Sequence, residues 1–150
     1  MHIPDLSPYR HHECDDLVGV LAVGWLSKAH AFTEGPVSPL LLKKLTLLAI
    51  FKSINFTREG HRCDFCGIDF PAAEDGGIIR LLGSAEIWIP GQNVLYAAPN
   101  LIVHYVAVHR YLPPDAFLRS LESLDVDEWS PPRDYLSIHR YTRVSGKAES

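Results

Sequence analysis

Two pairs of metal-binding side chains stand out in this sequence of 150 residues. Cys63 and Cys66 form a Cys-x-x-Cys pair followed by Gly67, the pattern with which a zinc knuckle turns the chain past a metal ion. His104 and His109 are separated by four residues, which lies within the histidine spacing of Cys2His2 sites. Two thiolates and two imidazoles suit tetrahedral zinc, and four protein ligands leave no coordination position for water. The sequence therefore predicts a structural Zn2+ ion bound by these two cysteines and two histidines.

The two histidines belong to an apolar segment, residues 99–110, which is predicted to form a helix that ends before a Pro-Pro pair. Five residues on an ideal helix turn through about 500°, so the two imidazoles converge only if the last turn tightens or unwinds. His61 lies two residues before Cys63 and is the alternative ligand for the shell. The competing interpretation is that both helix histidines are ordinary residues satisfied by hydrogen bonds.

Hydrophobic patterning predicts the elements that must position these residues. The apolar run 17–26 is typical of a buried strand, and Ser38-Pro39 is typical of the start of a helix, which should extend to about residue 53. The segments AEIWI and VLYAA flank PGQN, which predicts a β-hairpin. Residues 54–77 are turn-rich, and a last helix is predicted to begin at Pro114-Asp115.

These elements predict one α+β domain over residues 1–150, with a small, mostly antiparallel sheet and two or three helices. Residues 1–16 should form an extended N-terminal segment, and residues 144–150 a frayed tail. A chain of this length buries a sizeable hydrophobic core without a metal ion. Zinc would therefore cross-link a domain that already has a core. We expect the metal to tie the cysteine loop to the histidine helix.

The composition limits the classes of function. Fourteen basic residues against 18 acidic residues give a net charge of −4, which does not favour a general polyanion-binding surface. The longest apolar run, residues 17–26, is shorter than the roughly 20 residues that span a bilayer, so no membrane association is expected. The N-terminus lacks the basic and apolar regions of a secretory signal, which predicts a cytoplasmic protein.

Three functions fit a zinc-binding domain of this kind. The first is a non-enzymatic interaction or accessory protein with an unknown protein partner, for which an exposed patch around Trp88 or Trp129 would be evidence. The second is nucleic-acid binding, which requires the basic segment 133–147 to align with other cations of the chain. Those other cations are Lys43, Lys44, Lys52 and Arg58.

The third function is a zinc-dependent hydrolase. It requires that one of the four ligands be replaced by water and that Glu86 or Asp69 act as the base. A closed shell of four protein ligands argues against such an enzyme, because water then has no position on the metal. The ligand count therefore favours the non-enzymatic interpretation.

Several phrases of the sequence resemble those of one family. They are PDLSPY (4–9), VGWL (23–26), CDFC (63–66), LGSAEIWIPG (82–91) and YAAPNLIVHYVAVHRYLPPDAF (96–117). The chain is similar, over most of residues 4–118, to a family of small uncharacterised bacterial proteins with a central Cys-x-x-Cys and a His-Tyr-x-x-x-His-x-Tyr-x-Pro-Pro stretch. The resemblance implies no activity. Its matching positions are those that the ligand chemistry selects, Cys63, Cys66, His104 and His109.

Overall fold

The computed structural model describes residues 2–10 and 16–132, and within these ranges it contains six strands and three helices. The strands are β1 (Pro8–Arg10), β2 (Asp16–Ala22), β3 (Ala72–Asp75), β4 (Ile78–Leu81), β5 (Glu86–Pro90) and β6 (Leu95–Pro99). The helices are α1 (Pro39–Phe51), α2 (Ile102–His109) and α3 (Asp115–Ser123). A four-stranded sheet has the order β1-β2-β6-β5, and β3 and β4 form a separate hairpin.

Three of the four strand pairs are antiparallel, and β2 pairs with β6 in parallel. The predicted α+β class, with a mostly antiparallel sheet and helices, is therefore confirmed for the described residues. The predicted hairpin is β5–β6, in which Trp88 pairs with Ala97. Its turn is closed by the Gly91 N–H, which donates to the Val94 carbonyl at 2.8 Å.

Two predicted segments differ from the structure. The strand predicted over residues 17–26 ends at Ala22, because Gly24 has a φ of +80° and its N–H donates to the Asp5 carboxylate at 2.9 Å. The turn-rich segment 54–77 contains a strand, β3, that the prediction lacked. Its Ala72 and Ala73 gave little strand signal, and β3 forms because β4 pairs with it across a Gly-Gly turn.

The helices follow their sequence signals closely. At the start of α1, the Ser38 hydroxyl accepts a hydrogen bond from the Leu41 N–H at 3.2 Å, so the predicted N-cap is confirmed. The helix ends at Phe51, two residues earlier than predicted. Among the described residues, no helix combines the length and the apolar character needed to cross a membrane. The largest fully buried side chains include Leu45, Leu48, Trp88, Ile89, Leu95, Ile102, Tyr111, Phe117 and Leu121.

The two tryptophans considered for an exposed patch are buried, so they do not supply that evidence for an interaction surface. Trp88 is 1% exposed and Trp129 is 7% exposed. The indole N–H of Trp129 donates to the Trp88 carbonyl at 2.9 Å, and the Trp88 indole N–H donates to the Glu86 carboxylate at 2.8 Å. Both rings are large apolar groups, so their burial removes much apolar surface from water.

Three of the lysines considered for a basic patch are held by contacts within the chain. Lys44 donates to backbone carbonyls at the end of α3, Lys52 donates to the Trp129 carbonyl at 2.7 Å, and Lys43 lies 3.5 Å from the Asp75 carboxylate. The basic segment 133–147 and the predicted frayed tail 144–150 lie outside the described residues, as do residues 11–15 of the predicted extended segment. These lysine contacts weaken the argument for an aligned basic surface.

Lys44 caps α3, and its replacement tests that contact. Its ammonium donates to the carbonyls of Leu121, Glu122 and Leu124 at 3.2, 2.7 and 2.8 Å, and the Leu121 carbonyl also accepts from the Leu124 N–H. We expect Lys44→Met to lower the free energy of unfolding by about 1–3 kcal/mol, since the part-buried Leu124 carbonyl loses its charged donor.

Urea unfolding of the Lys44→Met variant measures this loss. Lys43→Met is the matched control, because the Lys43 ion pair with Asp75 is largely exposed and should contribute less than about 1 kcal/mol. Equal stabilities of the two variants would show that the Lys44 contacts do not stabilise α3.

Candidate metal centre

The first half of the candidate site is a tight loop around the two cysteines. The Gly67 N–H donates to the Cys63 carbonyl at 2.8 Å, and the Cys63 N–H donates to the Ile68 carbonyl at 3.2 Å. Gly67 has a φ of +72°, which a residue with a Cβ adopts only at a cost, and this explains the glycine after the second cysteine. The backbone N–H groups of Phe65 and Cys66 point to the Cys63 sulfur. The loop therefore has the knuckle form that the sequence predicted.

Phe65, between the two cysteines, anchors this loop to the rest of the protein. Its ring lies 5.2 Å from the Phe32 ring, 5.8 Å from Tyr105 and 5.3 Å from His109, measured between centroids. These are ordinary separations for aromatic pairs, each of which adds about 0.5–1.5 kcal/mol beyond the area it buries. The residue that spaces the cysteines thus packs directly against the helix that carries the histidines.

The second half of the site is α2, whose last turn departs from ideal geometry. The N–H groups of Arg110 and Tyr111 both donate to the Tyr105 carbonyl, so these bonds span five and six residues and not four. Arg110 has a left-handed conformation, with φ 60° and ψ 26°. His104 and His109, five positions apart, present their imidazoles to the same point. Of the two departures from an ideal last turn that the sequence left open, tightening and unwinding, the structure has the second.

The four side chains meet at one point. Their donor atoms all lie within 4.8 Å of one another. The Cys63 Sγ is 3.3 Å from the His109 Nε2, the Cys66 Sγ is 3.4 Å from the His104 Nε2, and the two Nε2 atoms are 3.2 Å apart. In a regular tetrahedron with Zn–N near 2.0 Å and Zn–S near 2.3 Å, N···N and N···S edges are about 3.3 and 3.5 Å. The observed separations match those edges.

Burial differs among the four side chains. Cys63 and His104 are buried, His109 is half-buried, and Cys66 is exposed. Burial raises the pKa of the Cys63 thiol, although the backbone N–H groups of Phe65 and Cys66 act in the opposite direction. Burial lowers the pKa of His104, and the neighbouring His109 adds to that effect. The lowered pKa favours the neutral imidazole, which is the form that binds a metal ion.

The other residues considered for the site lie elsewhere. His61 is exposed and is not part of the four-residue group; its backbone N–H donates to the Gly83 carbonyl at 2.7 Å. Asp69 is exposed. The Glu86 carboxylate accepts hydrogen bonds from three side chains at the end of β5. His61 therefore lies outside the four-residue cluster.

Comparison of the sequence with models of protein families finds a match. The model of a domain of unknown function, DUF7919, matches residues 1–122. The chain belongs to the DUF7919 family. Comparison with curated proteins and with solved structures finds no match. The DUF7919 match includes all four residues of the cluster and carries no statement of activity.

The sequence reasoning missed one interaction that positions α2 in this DUF7919 domain. The hydroxyl of Tyr111, which is fully buried, donates to the Asp5 carboxylate at 2.7 Å, and the other carboxylate oxygen of Asp5 accepts from the Gly24 N–H. The N-terminal segment is therefore tied to the residue that follows the widened end of α2. A tyrosine in an apolar stretch is a signal of a buried hydroxyl, but it does not identify a partner 106 positions away.

Proposed function

We propose that the protein binds one structural zinc ion through Cys63, Cys66, His104 and His109. The observation that supports this proposal is the convergence of two sulfur and two nitrogen atoms within 4.8 Å, with three of the six separations close to the edges of a zinc tetrahedron. Two soft thiolates and two imidazoles favour zinc over magnesium or calcium, which prefer oxygen ligands. Zinc would join the knuckle to α2, two elements that are distant in the sequence.

A structural role for this zinc follows from the ligand count and from the surroundings of the cluster. Four protein ligands complete a tetrahedral shell, so no position remains for a reactive water. None of the four lines the cavity of about 420 Å³ that contains Glu86. The Glu86 carboxylate is engaged by the Tyr9 hydroxyl, the Asn55 amide and the Trp88 indole, which leaves it poorly placed as a base for metal-bound water. The hydrolase alternative therefore has less support than a structural metal.

The proposed biological role is that of a non-enzymatic accessory protein that binds a protein partner. Ile79 and Leu81 alternate along β4, so they share one face of the hairpin, and they are 65% and 56% exposed. Exposed apolar side chains grouped on one face are typical of protein contact surfaces. The nucleic-acid alternative is less well supported, because Lys43, Lys44 and Lys52 make contacts within the chain.

Metal content per chain, measured by mass spectrometry on purified protein, tests the zinc proposal. We expect one zinc per chain in the wild type and less than about a tenth of that in His104→Ala, because three remaining ligands do not fill a tetrahedral shell. His61→Ala is the matched control and should keep the full zinc content, because His61 is exposed and lies outside the cluster.

Cobalt substitution provides a second readout of the same proposal. Cobalt(II) in a tetrahedral site with thiolate ligands gives visible absorption bands that an octahedral hydrated ion lacks. Wild type that binds no zinc, or His104→Ala that retains all of it, would contradict the proposed ligand set. The four side chains would then form a cluster of thiol and imidazole hydrogen bonds.

A further inference from the structure

A cavity of about 420 Å³ lies beside the knuckle and is separate from the metal cluster. It is lined by Gly60, His61, Arg62 and Asp64 of the loop that leads into the knuckle and by the neighbouring turn Gly83–Glu86, whose Gly83 carbonyl accepts from the His61 N–H at 2.7 Å. Its size falls within the range of about 300–1,000 Å³ that is typical of small-molecule sites. None of the four residues of the metal cluster lines it. The cavity is thus a candidate site with its own chemistry.

Glu86 is a charged residue of this cavity whose carboxylate accepts three hydrogen bonds. One carboxylate oxygen accepts from the Tyr9 hydroxyl at 2.7 Å, and the other accepts from the Asn55 amide at 3.1 Å and the Trp88 indole at 2.8 Å. A carboxylate has about four acceptor positions, so these three donors hold it in place, and the residues that the structure describes leave one position unfilled. Glu86 is half-buried and lines the cavity, so the unfilled position is accessible to a donor on a ligand.

Aromatic rings surround this carboxylate. The Tyr9 and Trp25 rings stack with centroids 5.6 Å apart and an angle of 25° between their planes, and Tyr105 lines the cavity as well. Aromatic faces attract cations, and the attraction is stronger in a site from which water is partly removed. Leu26, Pro99 and Leu101 supply apolar surface next to these rings.

The charges around the cavity also favour a positive ligand. Glu86 is half-buried and held in place by its three donors. Asp64, Arg62 and His61 also line the cavity, and all three are exposed residues of the loop 60–64, so the charges of Arg62 and Asp64 offset each other. A cation near Glu86 would therefore meet a preorganised anion, whereas an anion would meet exposed, solvated groups.

We propose that this cavity binds a small organic cation, a primary amine or guanidinium with an apolar body. The charged group donates to the unfilled position of the Glu86 carboxylate, and the apolar body lies against Trp25, Tyr105 and Leu101. This site is distinct from the zinc site and does not depend on the identity of the metal. The knuckle contributes to it through Asp64 and the loop that precedes it.

Calorimetric titration of the full-length, metal-loaded protein with three probes of similar shape tests the proposal. The probes are 2-phenylethylamine, 2-phenylethanol and phenylacetate, which carry positive, zero and negative charge. We expect the amine to bind at least about tenfold more tightly than the other two, because a charge-assisted hydrogen bond is about twice as strong as a neutral one. Equal binding of all three probes, or no binding of the amine, would overturn the proposal.

Substitutions locate the binding site. We expect Glu86→Gln to weaken amine binding by about tenfold or more, and the matched control Glu59→Gln to leave it unchanged, because Glu59 is exposed and does not line the cavity. A folded Glu86→Gln variant that binds the amine as tightly as wild type would overturn the assignment.

Backbone amide chemical shifts decide the location if Glu86→Gln fails to fold. Shifts on addition of 2-phenylethylamine to wild type should concentrate in residues 60–64 and 83–86. Chemical-shift changes confined to α3 or to other surfaces distant from the cavity would overturn the assignment of the binding site. Because zinc content is measured separately, failure of this proposal and failure of the zinc proposal are distinguishable.

Discussion

Replacing Cys63 by serine is expected to abolish zinc binding and to lower the free energy of unfolding by about 3–6 kcal/mol. A structural zinc contributes about 10–16 kcal/mol of apparent binding energy in finger peptides, and a domain with its own core depends on it less. Cys63 is fully buried, and its loss removes both a ligand and the sulfur that the Phe65 and Cys66 N–H groups face. Urea unfolding monitored by circular dichroism measures the change, and zinc content is measured on the same samples.

The control for this prediction uses the third cysteine of the chain. Cys14→Ser makes the same chemical change at a cysteine that does not belong to the Cys-x-x-Cys pair, and it should keep the zinc content of wild type. A chelator completes the comparison: it should destabilise wild type to about the level of Cys63→Ser and have little further effect on that variant. If the chelator destabilised both proteins equally, the metal would not act through Cys63, and the structural role would be wrong.

Gly83→Ala is expected to lower the free energy of unfolding by about 3 kcal/mol or more, and to weaken zinc binding as well. A Cβ at this position would lie 2.4 Å from the His61 carbonyl oxygen, which is backbone and has little freedom to move away. Gly83 also has a φ of +114°, a conformation that residues with a Cβ avoid. The loop 60–63 must then shift, and that loop positions the first cysteine of the knuckle. Thermal unfolding and zinc affinity by competition with a chromophoric chelator are the measurements.

Gly76→Ala separates the two reasons why Gly83→Ala should lower stability, the positive φ and the steric clash of the new Cβ. Gly76 has a φ of +58°, but no atom lies within 4 Å of a Cβ built there. Its replacement should therefore cost about 1 kcal/mol from backbone conformation alone and leave zinc affinity unchanged. Equal losses at the two positions would show that the close approach of Gly83 to His61 does not matter for stability.

Short-range patterns predicted much of the architecture. Ser38 followed by proline identified the start of α1, and PGQN between two apolar segments identified the β5–β6 hairpin. These signals succeed because capping and tight turns depend on residues that are neighbours in the chain. The strand β3 was missed, because it is stabilised by pairing with β4 and carries little signal of its own.

The candidate site was predictable in its residue types but not in its geometry. Two cysteines before a glycine and two histidines on one helix indicate zinc ligands by chemistry alone. The sequence left His61 as an alternative, and it gave no sign that the N–H groups of Arg110 and Tyr111 both bond to one carbonyl. That widening depends on the left-handed conformation of Arg110 and on the contacts of the buried Tyr111, which joins Asp5.

The sequence by itself determined which side chains can hold a metal, which segments form the three helices and which segments form the β5–β6 hairpin. Those properties depend on residue type and on near neighbours. Only the tertiary structure decided that Cys63 meets His109, that Trp88 and Trp129 are buried, and that Glu86 lines an aromatic cavity. Each of these depends on packing between segments far apart in the chain, where burial of apolar surface and pairing of buried polar groups select one arrangement.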